Sequence, residues 1–225
     1  MEPNDDEKYY FNFSFFQIDP KWRWMADLAK EESAREVENI IKNTGIKFRC
    51  YSTLGLRSDA DFLFWFAAKS IEEIQAALSK IYLTVFGKYI IPSQTYVSCT
   101  RPSVYARKGR VLSFVAGNES KKYCVVYPFI KTRDWYLLPQ EERQKMMDEH
   151  IDVSQKYPDV VLNTTYSFGL DDQDFMLAFE TDELRDFQDL IMDLRETKVS
   201  KYVKTDTPMI ICVKKDIVPM IQSLG

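Results

Sequence analysis

Histidine is almost missing from this chain: His150 is the only one in 225 residues. A Ser-His-Asp triad would have to use that one residue, and no G-x-S-x-G nucleophile elbow accompanies it. Cysteine is scarce as well. Cys50, Cys99, Cys124 and Cys212 are far apart, with no C-x-x-C pair and no companion histidines, which argues against a zinc site. Each lies in an apolar, strand-like run, where a free thiol packs as a small core residue, and nothing calls for a disulfide. Walker A and G-x-G-x-x-G motifs are absent. Positive charge is not in excess: 30 Lys and Arg against 34 Asp and Glu give a net charge of −4, so no nucleic-acid surface is suggested. No apolar run reaches the roughly 18 residues of a membrane helix. The first residues, MEPNDDEK, are acidic and lack a hydrophobic signal core, which leads us to expect a cytosolic protein.

What is present indicates a folded chain with a sizeable core. Hydrophobic residues make up 45% and aromatics 14% of the sequence. The length suits one large domain or two of about 110 residues. Residues 1–8 read as a disordered tail. Residues 9–18 alternate Phe11, Phe13 and Phe15 with Asn12 and Ser14, as a strand does. Val37, Ile40 and Ile41 recur at helical spacing in 26–43, and Thr44-Gly45 stops that helix. Strands follow at 48–56 and 62–68, a helix at 71–83 with Ile71, Ile74, Leu78 and Ile81 on one face, and a strand at 95–100. A second round has strands at 123–130, 160–168, 175–179 and 209–213, with helices from Leu138-Pro139 to about Lys156 and over 183–194.

The two rounds match. Residues 62–89 align with 175–202 without a gap, and six of the 28 positions are identical, among them Phe62/Phe175, Phe66/Phe179 and Tyr89/Tyr202. The shared order strand–helix–strand–strand–helix–strand predicts an α+β protein of two tandem ferredoxin-like βαββαβ repeats, residues 9–100 and 123–225. Pairing the two sheets would close an α+β barrel. The connecting residues 101–122 form a linker carrying Arg101, Arg107, Lys108, Arg110, Lys121 and Lys122 against a single Glu119. It reads either as a solvated segment or as a source of cations for an anionic ligand.

The most informative stretch is 127–172. It contains a Tyr127-Pro128 step at the end of an apolar strand, His150 late on a helix beside Met146 and Met147, and a Gly169-Leu170-Asp171-Asp172 turn. Asp171, Asp172 and Asp174 read as turn residues before they read as a metal cluster. His150 is either a packed or capping histidine or, facing an apolar cavity, a neutral imidazole able to bind haem iron.

Three segments together resemble the chlorite dismutase-like haem proteins, a superfamily of chlorite dismutases and coproheme decarboxylases. They are Tyr127-Pro128-Phe129-Ile130-Lys131 with Trp135-Tyr136, Glu141-Glu142-Arg143 through Met146-Met147-Asp148-Glu149-His150, and Gly169-Leu170-Asp171-Asp172 with Asp174-Phe175. The resemblance is clear over about 123–213 and mainly architectural before that. It implies haem, as iron-coproporphyrin III or haem b, with His150 as the proximal iron ligand. Tyr127 would be the radical-forming tyrosine that attacks a propionate. Lys131, and with it Arg110, would position carboxylates. Counting 13 positions from His150 puts the distal residue at Asn163, or at Leu162 if the register slips by one. Glu196 is the candidate carboxylate behind His150. The implied activity is peroxide-driven oxidative decarboxylation of iron-coproporphyrin III to haem b. Chlorite decomposition, haem b peroxidation and non-enzymatic haem binding are the alternatives. The absent distal Arg weighs against chlorite, because an amide cannot supply a fixed positive charge. The resemblance also implies a ring-shaped homo-oligomer, commonly a pentamer.

Overall fold

The structure, a computed structural model, describes residues 8–105 and 112–225. The tail expected at the N-terminus lies outside the described residues up to position 7. The first repeat runs β1 (Tyr10–Ile18), α1 (Asp27–Thr44), β2 (Lys47–Ser52), β3 (Phe62–Ala68), α2 (Ile71–Leu83) and β4 (Ile90–Cys99). After it come α3 (Ser113–Ala116), β5 (Tyr123–Lys131), α4 (Arg133–Leu137), α5 (Gln140–Ser154), β6 (Val161–Tyr166), β7 (Phe175–Thr181), α6 (Leu184–Arg195) and β8 (Val203–Thr205). The chain closes with β9 (Ile210–Lys215) and α7 (Ile217–Gln222). Both repeats are βαββαβ, and the α+β ferredoxin-like class is as the sequence predicts.

Packing divides the described chain into two compact units, Lys8–Cys99 with Ile210–Gly225, and Thr100–Met209. In the first, the antiparallel order is β4-β1-β3-β2, with β9 added beside β2. α1 stops where Gly45 turns left-handed at φ 67°, a conformation that costs glycine little. α2 begins at a reciprocal capping box of Ser70 and Glu73, which satisfies two otherwise orphaned amides. Under these helices Phe16, Phe62, Phe64 and Phe66 pack with Trp22 and Phe86 and with Ala34, Val37, Ile74 and Ile81 of the helices. The unbroken β1–β3 register sets Phe16 opposite Phe62, with ring centroids 5.1 Å apart, while the register against β4 shifts between Phe15 and Phe16.

In the second unit β8-β5-β7-β6 repeats the same antiparallel order. The internal homology extends to single bonds. Thr84 and Thr197 occupy equivalent positions, and each hydroxyl donates at 2.7 Å to the carbonyl three residues back, Ile81 or Leu194. The C-terminal boundary differs from the sequence reading, which assigns 209–213 to the second repeat. The short β8 takes the place beside β5, whereas β9 pairs with β2 and α7 adds Met220 and Ile221 to the phenylalanine core. Alternating burial of Ile210 and Cys212 announces a strand but does not name its neighbour.

Candidate functional site

The site is built on β5, α4 and α5 of the second unit. Antiparallel register decides which side chains share a face. Val125, Phe179 and Leu162 stand in one row across β5, β7 and β6, and Tyr127, Leu177 and Thr164 in the next. This face carries a buried cluster of Val125, Tyr127, Val160, Phe179, Phe187 and Leu190, so it looks toward α6. Tyr127 stacks on Phe179 with centroids 5.9 Å apart and rings 9° from parallel. Burial first, then the Asp206 charge, pushes its phenol well above the usual range, so Tyr127 keeps its proton at neutral pH.

The helix over this sheet is unusual for a core element: none of the fifteen residues of α5 is fully buried. Its counterpart α1 buries Lys30, Ser33, Ala34 and Val37. His150 lies near the C-terminal end of α5. Its Nδ1 is buried and has no hydrogen-bond partner among the described residues. Burial, and secondarily the charge of Lys131, holds the imidazole pKa down at about 4. A neutral ring with an unpaired buried nitrogen is suited to a metal or to another polar ligand atom. Glu196 makes no hydrogen bond to Nδ1, which has no partner among the described residues; Glu149, beside the histidine, accepts from Lys198 N–H at 3.2 Å.

Lys131 ends β5. Its ammonium sits 4.0 Å from the Trp135 ring centroid and 5.6 Å from that of Phe129. Desolvation lowers its pKa to about 8, against the pull of Asp174. Asp174 does more than turn the chain: its Oδ2 accepts from Lys131 N–H at 2.8 Å and from Tyr136 OH at 2.7 Å. This fixes the end of β5 against α4. The structure therefore brings Lys131 and His150 into electrostatic contact and places Tyr127 four residues before Lys131 on the same strand. Arg110 lies outside the described residues.

Asn163 is a correction. It pairs with Ala178, whose partner on β5 is Val126, so it occupies the sheet face opposite Tyr127. There its Oδ1 accepts from Ser113 Oγ at 3.1 Å and Phe114 N–H at 3.2 Å, and its Nδ2 donates to Glu180 at 3.1 Å. The amide is spent on holding α3 to the sheet. On the Tyr127 face, β6 offers Leu162 and Thr164, and Asn163 is not on it. Sequence reasoning also missed Tyr105, whose hydroxyl accepts from Arg143 Nη1 at 3.1 Å and whose ring lies 6.1 Å from that of Trp135. The seven-residue spacing of Arg143 and His150, two helical turns, was the available signal.

Fold and site thus define a ferredoxin-like α+β protein with one neutral imidazole on a helix that is not seated in its core. The chlorite dismutase family model matches residues 30–215, and the chain belongs to that family. It is 37% identical over 206 residues to the coproheme decarboxylase of Mycolicibacterium smegmatis, covering 88% of this chain and 87% of that one. The chlorite dismutase of Ideonella dechloratans is 26% identical over 224 residues, 95% of this chain and 79% of the relative. The structure of chlorite dismutase from Candidatus Nitrospira defluvii in complex with imidazole superposes with a TM-score of 0.86 at 25% identity, covering 96% of this chain and 94% of that one.

Proposed function

We propose that this protein is a haem-dependent oxidoreductase that converts iron-coproporphyrin III to haem b, using hydrogen peroxide to decarboxylate two propionates. The observation that carries the reading is His150: a neutral imidazole with an unpaired buried nitrogen, on a helix none of whose residues is fully buried. The likeness to a coproheme decarboxylase over most of the chain supports it. Bound iron porphyrin supplies the oxidising chemistry with peroxide. For each propionate, R–CH2–CH2–CO2H and H2O2 become R–CH=CH2, CO2 and two waters.

The protein's own groups do the rest. His150 offers a lone pair without first losing a proton, because burial keeps it neutral. Lys131, still mostly protonated at pH 7, binds a carboxylate from its seat on Trp135. Tyr127 gives up a hydrogen atom, and the resulting phenoxyl takes one from a propionate. Burial favours this course by holding the phenol protonated instead of ionised. The Tyr127 face of β6 presents Leu162 and Thr164, with no guanidinium for a developing anion, which weighs against chlorite as the oxidant.

The test is stepwise addition of peroxide to protein loaded with iron-coproporphyrin III, followed by porphyrin mass. Two successive losses of the mass of formic acid are expected in the wild type, and none in Tyr127→Phe, which should still bind. Unchanged mass in the wild type, or full turnover in Tyr127→Phe, refutes the mechanism and moves the assignment to a haem b peroxidase, chlorite enzyme or haem carrier. We also place the protein in the cytoplasm, where its four free cysteines would stay reduced. Among the described residues no helix is long and apolar enough to cross a membrane. We also propose a pentameric ring; Trp24, Leu28 and Leu83 are large apolar side chains exposed in this chain, surface of the kind an assembly buries. Light scattering on the purified protein decides the oligomeric state.

A further inference from the structure

We infer that Arg143 is a second cationic anchor for a substrate carboxylate, working with Lys131 around the Tyr105–Trp135 ring pair. The inference rests on the porphyrin reading above and extends it to a residue outside the expected set. Arg143 precedes His150 by two turns on α5, so the two share a helix face. Its Nη1 donates to Tyr105 OH at 3.1 Å, while its Nε is buried and has no hydrogen-bond partner among the described residues. The Tyr105 ring lies 6.1 Å from Trp135, and the Lys131 ammonium lies 4.0 Å from the same Trp135 ring. Next to Lys131, the Thr132 hydroxyl is likewise buried and unpartnered.

Two buried donors without an acceptor among the described residues, the Arg143 Nε–H and the Thr132 hydroxyl, therefore accompany the Lys131 ammonium, and the two cations flank one aromatic pair. Neither cation has an ion pair with a carboxylate among the described residues. A buried guanidinium edge with no acceptor is costly, and a carboxylate is the acceptor whose two oxygens match its planar fork. Tyr105 accepts from Nη1, and the Nε–H, buried without an acceptor among the described residues, is the donor left for a carboxylate. The ligand class is a tetrapyrrole with more carboxylates than Lys131 alone can neutralise, and iron-coproporphyrin III, with one on each ring, is such a molecule.

Soret titration with iron-coproporphyrin III at two salt concentrations separates the possibilities. Arg143→Gln should weaken binding about tenfold, which is about 1.4 kcal/mol, and should reduce the salt dependence because one charge contact is gone. Arg143→Lys should keep the salt dependence and recover part of the affinity. Tyr105→Phe, which removes the hydroxyl but not the charge, should keep the wild-type salt dependence. If Arg143 only pins the linker through Tyr105, then Tyr105→Phe and Arg143→Gln lose affinity equally and the salt dependence does not change; that result overturns the inference, as does wild-type affinity in Arg143→Gln. Failure of the wild type to bind iron-coproporphyrin III would instead overturn the porphyrin reading, and the anchor with it.

Discussion

Replacing His150 by leucine should remove a pH-dependent part of the stability of the ligand-free chain. The folded imidazole titrates at about 4 because burial, and then the charge of Lys131, disfavours its protonated form. An unfolded histidine titrates near 6.5. Between these values the unfolded chain binds the proton and the folded chain does not, so acid favours unfolding. The contribution of His150 is complete above about pH 6.5 and is lost as pH falls through 4. At pH 5 the linkage expression RT ln[(1 + 10^1.5)/(1 + 10^−1)] gives about 2 kcal/mol, an upper bound because the ring retains some solvent contact. Urea unfolding at pH 7.5 and pH 5.0 measures it. The carboxylates titrate alike in both proteins, so the wild type should lose about 2 kcal/mol more than His150→Leu on acidification. Equal losses would mean that the histidine is solvated, and the argument for a neutral iron ligand would fall with it.

Two further outcomes follow from the same geometry. Asn163→Ala strips partners from Ser113, Phe114 N–H and the buried Glu180. It should cost about 2–3 kcal/mol in urea unfolding while leaving iron-coproporphyrin affinity within twofold; intact stability with lost affinity would return Asn163 to the site. Lys131 has its pKa lowered to about 8, so its ammonium, the form that attracts carboxylates, is lost as pH rises through that value. Porphyrin affinity should decline between pH 7 and pH 9.5 in the wild type and stay flat in Lys131→Met; parallel profiles would show that Lys131 does not bind the ligand.

Much of the architecture was legible because hydrophobic period and chain punctuation agreed. The strand 62–68 and the helix 71–83 appear as Phe62–Ala68 and Ile71–Leu83. Their counterparts, expected at 175–179 and 183–194, run Phe175–Thr181 and Leu184–Arg195. Three things were not legible, each for a physical reason. Which strand β9 joins depends on long-range pairing that its own alternation does not encode. Which face Asn163 occupies depends on hairpin register, and one residue of error sends a side chain to the opposite side of the sheet. Counting from His150 carried that error, whereas the pairing of Tyr127 with Leu177 and of Leu177 with Thr164 resolves it. The Arg143–Tyr105 contact spans 38 residues and joins a linker to a helix, with no periodic signal on the linker side.

The two repeats use one scaffold for different ends. At matching positions in the sheet, Ser14 of β1 faces Phe64 and Tyr127 of β5 faces Leu177. In the first repeat Ser14 is small and bonds to Asn12, the bulk comes from the phenylalanines of β3, and α1 seats Ala34 and Val37 directly on them. Dispersion and burial are then satisfied within the protein itself. In the second repeat the strand contributes the large side chain. The helix above it is not seated in the core, and buried donors at Thr132 and Arg143 and the His150 nitrogen lack protein partners. Folding alone gives no reason to bury polar atoms unpaired. The first repeat buries the Trp22 indole nitrogen without an acceptor too, but there aromatic side chains fill the surrounding core, whereas in the second repeat the unpaired atoms include a cation and the imidazole. The unpaired atoms at Thr132, Arg143 and His150 lie around the end of β5, α4 and α5, the part of the second repeat to which the proposed function assigns the porphyrin.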